Sequence, residues 1–160
     1  MKTTRILIAL ALASCADITP IEDRAQYGPV FTIQDWFTTS YFLPYSNGVV
    51  LFDAGFRPSN LEDALSDYGV SHAEVTHIFL THGHGDHLGG LELFPDATVL
   101  GLRAERDLVE EETEGQFTIE QCVNDGELFH FDDVDVEVVA APGHTHGTVS
   151  YTHLTLPTKA

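Results

Sequence analysis

Apolar positions along the chain change period several times, and each change marks an expected element. From Val30 to Tyr45, β-branched and aromatic residues dominate: Val30, Phe31, Thr32 and Ile33, then Trp36, Phe37, Thr38, Thr39, Tyr41 and Phe42. That composition predicts two strands in a hairpin or meander, closed by Pro44 and the Ser46-Asn47-Gly48 turn cluster. The apolar run Val49 to Phe52 follows, ending in Asp53 and Gly55, as expected of a strand buried on both faces. Asp53 is placed where that strand emerges.

The period then lengthens. In "PSNLEDALSDYG", Leu61, Ala64, Leu65 and Tyr68 recur at helical spacing, which predicts a helix capped by Ser59 or Asn60 and stopped at Gly69. A strand is expected over Val75 to Leu80, a short one over Thr98 to Leu100, and a helix from about Leu102 to Glu112. Near the end, Val134, Val136 and Val138 alternate with Asp135 and Glu137, a half-exposed strand that breaks at Pro142-Gly143. Strands alternating with helices predict an α/β sandwich. No internal repeat or low-complexity tract interrupts it.

The first residues stand apart from this domain. Lys2 and Arg5 precede an apolar stretch, Ile6 to Ala13, that ends in small residues, the pattern of an export signal. The stretch is shorter than the roughly 18 apolar residues a permanent span needs. Its end, "LASC", looks like the lipobox of bacterial lipoproteins, which makes Cys15 the expected lipidation site after removal of residues 1–14. Ordinary cleavage after Ala16, giving a freely secreted product, is the alternative. Residues 15–29 read as a tether, with folded structure starting near Val30. The expected location is the periplasm or an outer-membrane anchor. Cys122, the other cysteine, reads as a small buried apolar residue.

Charge removes one class of partner. Asp and Glu number 25 against 7 Lys and Arg, a formal net charge of -18, so a nucleic-acid backbone is repelled. Most of that acidity reads as solvated surface.

The chemistry concentrates in "FLTHGHGDHLGG", residues 79–90. In an extended segment His82 and His84 point to the same side, while Asp86 and His87 follow one turn later. Zinc takes neutral imidazoles or carboxylates, and Gly83 and Gly85 give the backbone freedom to aim several of them inward. One or two adjacent ions are expected. His72, His77 and His130 lie on or beside strands and read as surface or satisfied core positions.

"THGHGDHLGG" closely resembles the T-H-x-H-x-D-H-x-G-G signature of the metallo-beta-lactamase fold superfamily, and "GVVLFDAG" and "APGHTHGTVSY" match its two flanking motifs in order. The resemblance covers residues 30–151. It implies an αββα sandwich, with His82, His84 and His144 on a first metal and Asp86 and His87 on a second. Asp86 would also orient the nucleophile as the catalytic acceptor, and Asp53 would lie beneath the site, holding a histidine. A three-histidine set leaves a fourth zinc position where water is acidified to a hydroxide nucleophile. His146 is a weaker ligand candidate.

The pattern is departed from after His144. Family members continue with another strand, an aspartate bridging both metals and a last histidine; no aspartate follows His144 here. The second half of the sandwich is therefore expected to be incomplete, with an open sheet edge and part of a helical layer missing. Residues 152–160, "THLTLPTKA", read as a non-native tail. The expected function is an exported metal-dependent hydrolase of a small-molecule ester, thioester, lactone or lactam. The alternatives are a zinc-binding lipoprotein without catalysis, or an oxidoreductase with iron in the same ligand set; manganese is a further candidate ion.

Overall fold

The computed structural model describes the backbone of residues 6–8 and 21–155 and the side chains of 21–152. In chain order the elements are β1 (Ile6–Ile8), β2 (Gln26–Tyr27), β3 (Val30–Asp35), β4 (Thr38–Tyr45), β5 (Gly48–Phe52), α1 (Pro58–Asp67), β6 (Val75–Phe79), β7 (Thr98–Leu102), α2 (Arg106–Glu112), β8 (Gln121–Val123), β9 (Leu128–Phe131), β10 (Val134–Ala140) and β11 (Val149–Thr155). A seven-stranded sheet runs β2-β3-β4-β5-β6-β7-β8 and a four-stranded sheet runs β1-β11-β10-β9.

The larger sheet is antiparallel from β2 to β5 and parallel from β5 to β8. Its middle strand, β5, is apolar from Val49 to Phe52 because both of its faces are covered. Val49 and Leu51 of β5 pack with Leu61, Ala64 and Leu65 of α1, while Val50 and Phe52 face the other sheet. Ile78 and Phe79 of β6 divide in the same way. On β10 the alternation resolves as the sequence predicts: Val134, Val136 and Val138 enter the core between the sheets, and Asp135 and Glu137 are half-exposed.

The layers are thus helices, sheet, sheet, three of the four layers of the expected αββα sandwich. Among the described residues no helix covers the outer face of the four-stranded sheet, which leaves the second half of an αββα sandwich incomplete. No helix among them is long and apolar enough to cross a membrane.

Several boundaries differ from the sequence reading. Helix α1 begins earlier, with Arg57 at the N-cap and Pro58 in the first turn, so neither Ser59 nor Asn60 caps it. Asp35 causes this: its carboxylate accepts Arg57 N–H at 2.7 Å and Arg57 Nε–H at 2.7 Å, turning the chain at that point, and Pro is well suited to the first helical position. The helix expected from Leu102 starts at Arg106, after a single 3-10 turn over Arg103–Glu105.

Part of the expected tether is folded. Residues 26–27 pair with β3, Gln34 N–H bonds Asp23 Oδ1 at 2.8 Å, and Thr32 Oγ1 bonds Glu22 O at 2.7 Å. The remainder of that tether to residue 20, Cys15 and most of the expected signal lie outside the described residues. At the other end, residues 152–155 extend β11 along β10, and β1 pairs with the far side of β11, from Ile6 opposite His153 to Ile8 opposite Tyr151. Strand β1 lies within the stretch read as a removable signal, so it covers this edge of the four-stranded sheet only while residues 1–14 are present.

Candidate metal centre

The site lies past the carboxyl ends of the parallel strands, where open α/β sheets place their ligands. Strand β5 delivers Asp53, β6 delivers the loop from Thr81, and the turn between β10 and β11 delivers His144 from the other sheet. Val149 N–H bonds Thr81 O at 2.9 Å, which joins the two histidine loops at their base.

His82, His84 and His144 each bring one ring nitrogen into a group whose members lie within 4.8 Å of one another, and His82, Asp86 and His87 form a second such group. His84 Nδ1 and His144 Nε2 are 3.0 Å apart, within hydrogen-bond distance, and the tautomers decide which of them donates. A cation between the rings would satisfy both. His146 is exposed on the same turn and belongs to neither group.

The hydrogen bonds beneath the rings determine which nitrogens face the site. Asp53 adopts a left-handed backbone, φ 59°, at the end of β5. Its Oδ1 accepts Thr81 N–H at 2.7 Å, and its Oδ2 accepts the Thr81 hydroxyl at 2.8 Å and His87 Nδ1–H at 2.8 Å. Because Thr81 spends its one hydroxyl proton on Asp53, its oxygen accepts from His82 Nδ1–H at 3.0 Å. His82 Nε2 is then a bare lone pair, and it is buried without any hydrogen-bond partner. Buried polar atoms are rarely left so unless an ion or water completes them.

Electrostatics match this arrangement. Burial, followed by the neighbouring His87, pushes the His82 pKa down to about 4, so the ring is neutral and ligand-competent at pH 7. Burial would lower His87 too, but Asp53 and then Asp86 outweigh it and raise the pKa above its ordinary value. The Asp86 carboxylate lies 3.4 Å from His87 Nε2 and faces the cleft.

The expected role of the loop glycines needs revision. Neither Gly83 nor Gly85 has a positive φ. Space is what constrains Gly83, where a Cβ would lie 3.1 Å from Leu108 Cβ and from Val109 N, whereas a Cβ on Gly85 would meet only the movable end of the exposed Glu112 side chain, 2.9 Å from its Oε2.

The centre opens into a cleft of about 370 Å³, walled on its apolar side by Phe37, Ala141 and Val149. Phe37 and Trp36 form the exposed tip of the β3–β4 hairpin, where Trp36 has a φ of 60°. Trp36, Phe37 and Phe56 lie with ring centroids 6.1 Å apart, and the Arg57 guanidinium, paired with Asp35, sits over Trp36.

Comparison with known proteins follows the same lines. The sequence model described as the metallo-beta-lactamase superfamily matches residues 33–155. The chain belongs to this superfamily. It is 31% identical over 124 residues to an atrochrysone carboxyl ACP thioesterase of Aspergillus fumigatus, covering 74% of this chain and 27% of that protein. It is 35% identical over 99 residues to metallo-beta-lactamase domain-containing protein 1 of Xenopus laevis, covering 57% of this chain and 36% of that one. Among solved structures, a subclass B3 metallo-beta-lactamase from a soil metagenome library superposes with a TM-score of 0.71 at 24% identity, over 88% of this chain and 60% of that one. A Cronobacter sakazakii metallo-beta-lactamase gives 0.72 at 22% identity, over 82% and 57%. The chain spans about a quarter to a third of these curated relatives and somewhat over half of these structures.

The sequence reading did not single out Thr81 or Glu105. Thr81 was visible as the residue before the first histidine. Glu105, buried beside both loops, was one acidic residue in an acidic helix and carried no pattern of its own. Of the remaining histidines, His130 pairs with Asp135 at 2.6 Å on the surface and His77 Nδ1 lies 2.9 Å from Thr76 Oγ1. Cys122 is half-buried, with Arg106 Nη2 at 3.5 Å from its sulfur.

Proposed function

We propose that this chain forms a zinc-dependent hydrolase site acting on an ester, thioester, lactone or lactam of a small molecule. One observation carries the reading: His82 Nε2 is buried, unprotonated and unpartnered, and His84 and His144 offer ring nitrogens beside it. Three imidazoles are a donor set suited to zinc, with an open position remaining. When bound, such an ion supplies a nucleophile from water near neutral pH and polarises an acyl oxygen.

The chain's own residues do the rest. His82, His84 and His144 would hold the ion, and His87 with Asp86 a second one. Asp53 and Thr81 fix the His82 and His87 rings in the tautomers that present Nε2. The Asp86 carboxylate, facing the cleft, would accept a hydrogen bond from the attacking nucleophile and so orient it toward the carbonyl. Phe37, Ala141 and Val149 receive the apolar arm of the substrate. The names of the relatives, a thioesterase and β-lactamases, support acyl hydrolysis as the reaction class.

The test is metal content of the purified chain by mass spectrometry, with His82→Ala and His144→Ala in parallel, followed by a panel of nitrophenyl esters, acyl thioesters, lactones and lactams. At least one zinc per chain, lost in both variants, with turnover of one substrate class, is expected. Retained zinc in the variants would refute the ligand assignment, and zinc without turnover would leave the non-catalytic alternative.

We also propose export and lipid anchoring, supported by Lys2, Arg5, the apolar stretch and Cys15 in "LASC". Labelled palmitate should enter the expressed chain and be absent from Cys15→Ser.

A further inference from the structure

Glu105 has no part in the chemistry above, yet it is a buried carboxylate, 2% exposed. Its Oε2 accepts Gly83 N–H at 2.8 Å and its Oε1 accepts Gly147 N–H at 2.6 Å. Gly83 stands between His82 and His84, and Gly147 follows His144 by three positions in "HTHG". One side chain, from the turn after β7, therefore grips both loops that carry the three histidines.

Steric contacts agree with the hydrogen bonds. A Cβ on Gly147 would lie 2.8 Å from Glu105 Oε1, 2.9 Å from its Cγ and 3.1 Å from Ala104 Cβ. The close approach of Gly83 to Leu108 and Val109 puts the first loop against the same segment. Both loops are pressed onto residues 104–109, and Glu105 is the polar group that occupies the seam.

We propose that Glu105 is a positioning residue: its carboxylate sets the separation of His82 and His84 from His144, and so the affinity of the triad for a divalent cation. This rests on the metal-site reading. A carboxylate suits the task because both oxygens are acceptors and each meets one backbone donor, whose bond to a charged group is stronger than one to a neutral group. Glutamine keeps the shape but turns one of those acceptors into a donor, so one backbone N–H must lose its partner.

The experiment compares the wild-type chain with Glu105→Gln, Glu105→Asp and Gly147→Ala. Amide hydrogen exchange at Gly83 and Gly147 is measured without metal, and cobalt(II) affinity is measured by visible absorption in competition with a chelator. In a folded E105Q protein, exchange at Gly83 or Gly147 should rise at least about 10-fold while core amides stay unchanged, and cobalt should bind roughly 10–100-fold more weakly. If E105Q fails to fold, Gly147→Ala, which retains the carboxylate but displaces it, should show the same weakening to a smaller extent.

Cobalt affinity within about twofold of wild type in folded E105Q, or rapid exchange at both glycines in the wild type, would overturn the proposal. Failure of the wild type to bind cobalt would overturn the metal-site reading and the claim on affinity. The exchange data would still decide whether Glu105 holds the loops together.

Discussion

Asp53 Oδ2 accepts His87 Nδ1–H at 2.8 Å, with both side chains buried, and the same oxygen accepts the Thr81 hydroxyl. One carboxylate thus sets the orientation of His87 directly and that of His82 through a single intervening hydroxyl. The two rings, with centroids 4.1 Å apart, are locked from below while their other nitrogens face the cleft.

Replacing Asp53 with Asn should therefore act on folding and on metal together. The shape is retained, but a charged acceptor of three hydrogen bonds becomes a neutral group with one acceptor oxygen. Urea unfolding of the metal-free protein should show a loss of about 2 kcal/mol, the scale of a buried hydrogen bond to a charged group. An unchanged unfolding midpoint would argue against the network.

Thr81→Val removes the hydroxyl and preserves the shape. His82 Nδ1 then loses its acceptor and the ring its fixed tautomer. Zinc affinity should fall about 10–100-fold, as for other groups that orient a ligand from behind, and stability by about 1–2 kcal/mol, because the buried His82 Nδ1–H is left without its acceptor. Chelator competition measures this, and affinity equal to wild type would rule out the tautomer argument.

The metal-free protein should respond to pH through two histidines of opposite sign. His82 titrates near 4 in the fold and near 6.5 when unfolded, so between those values the unfolded chain holds more protons and stability declines as pH falls. His87 has a folded pKa above 6.5, so its contribution is complete below 6.5 and is lost as pH rises through the raised value. Urea midpoints measured from pH 4 to 9 in chelator should lose their acid-side fall in part in His82→Gln, and their alkaline-side fall in part in His87→Gln. Variant curves parallel to wild type would contradict both assignments.

Phe37→Ala tests the substrate wall. The residue is 71% exposed at a hairpin tip, so stability should hardly change. Loss of apolar contact worth roughly two methylenes should raise KM about 10-fold for esters with long acyl chains and leave acetyl esters nearly unaffected. Equal changes across chain length would show that the aromatic tip does not contact the acyl group.

Local pattern was enough to find most of the elements and the histidine loops. Strand β5 is apolar at every position because it is buried on both faces, and that shows in the sequence as a run. The valines of β10 alternate because one face meets water. His82, His84, Asp86 and His87 are neighbours in sequence, so spacing alone could suggest that they act together. The tertiary structure decided what depends on contacts between distant residues. Residues 82 and 144 meet only because two sheets pack face to face. Helix α1 starts at Pro58 only because Asp35, on another strand, holds Arg57. Gly83 is needed for the space left by Leu108, not for its own φ. Glu105, one acidic residue among 25 Asp and Glu, is set apart solely by the two backbone N–H groups that the fold brings to it. Periodicity records which side of an element is buried, but the partner that buries it is settled by packing.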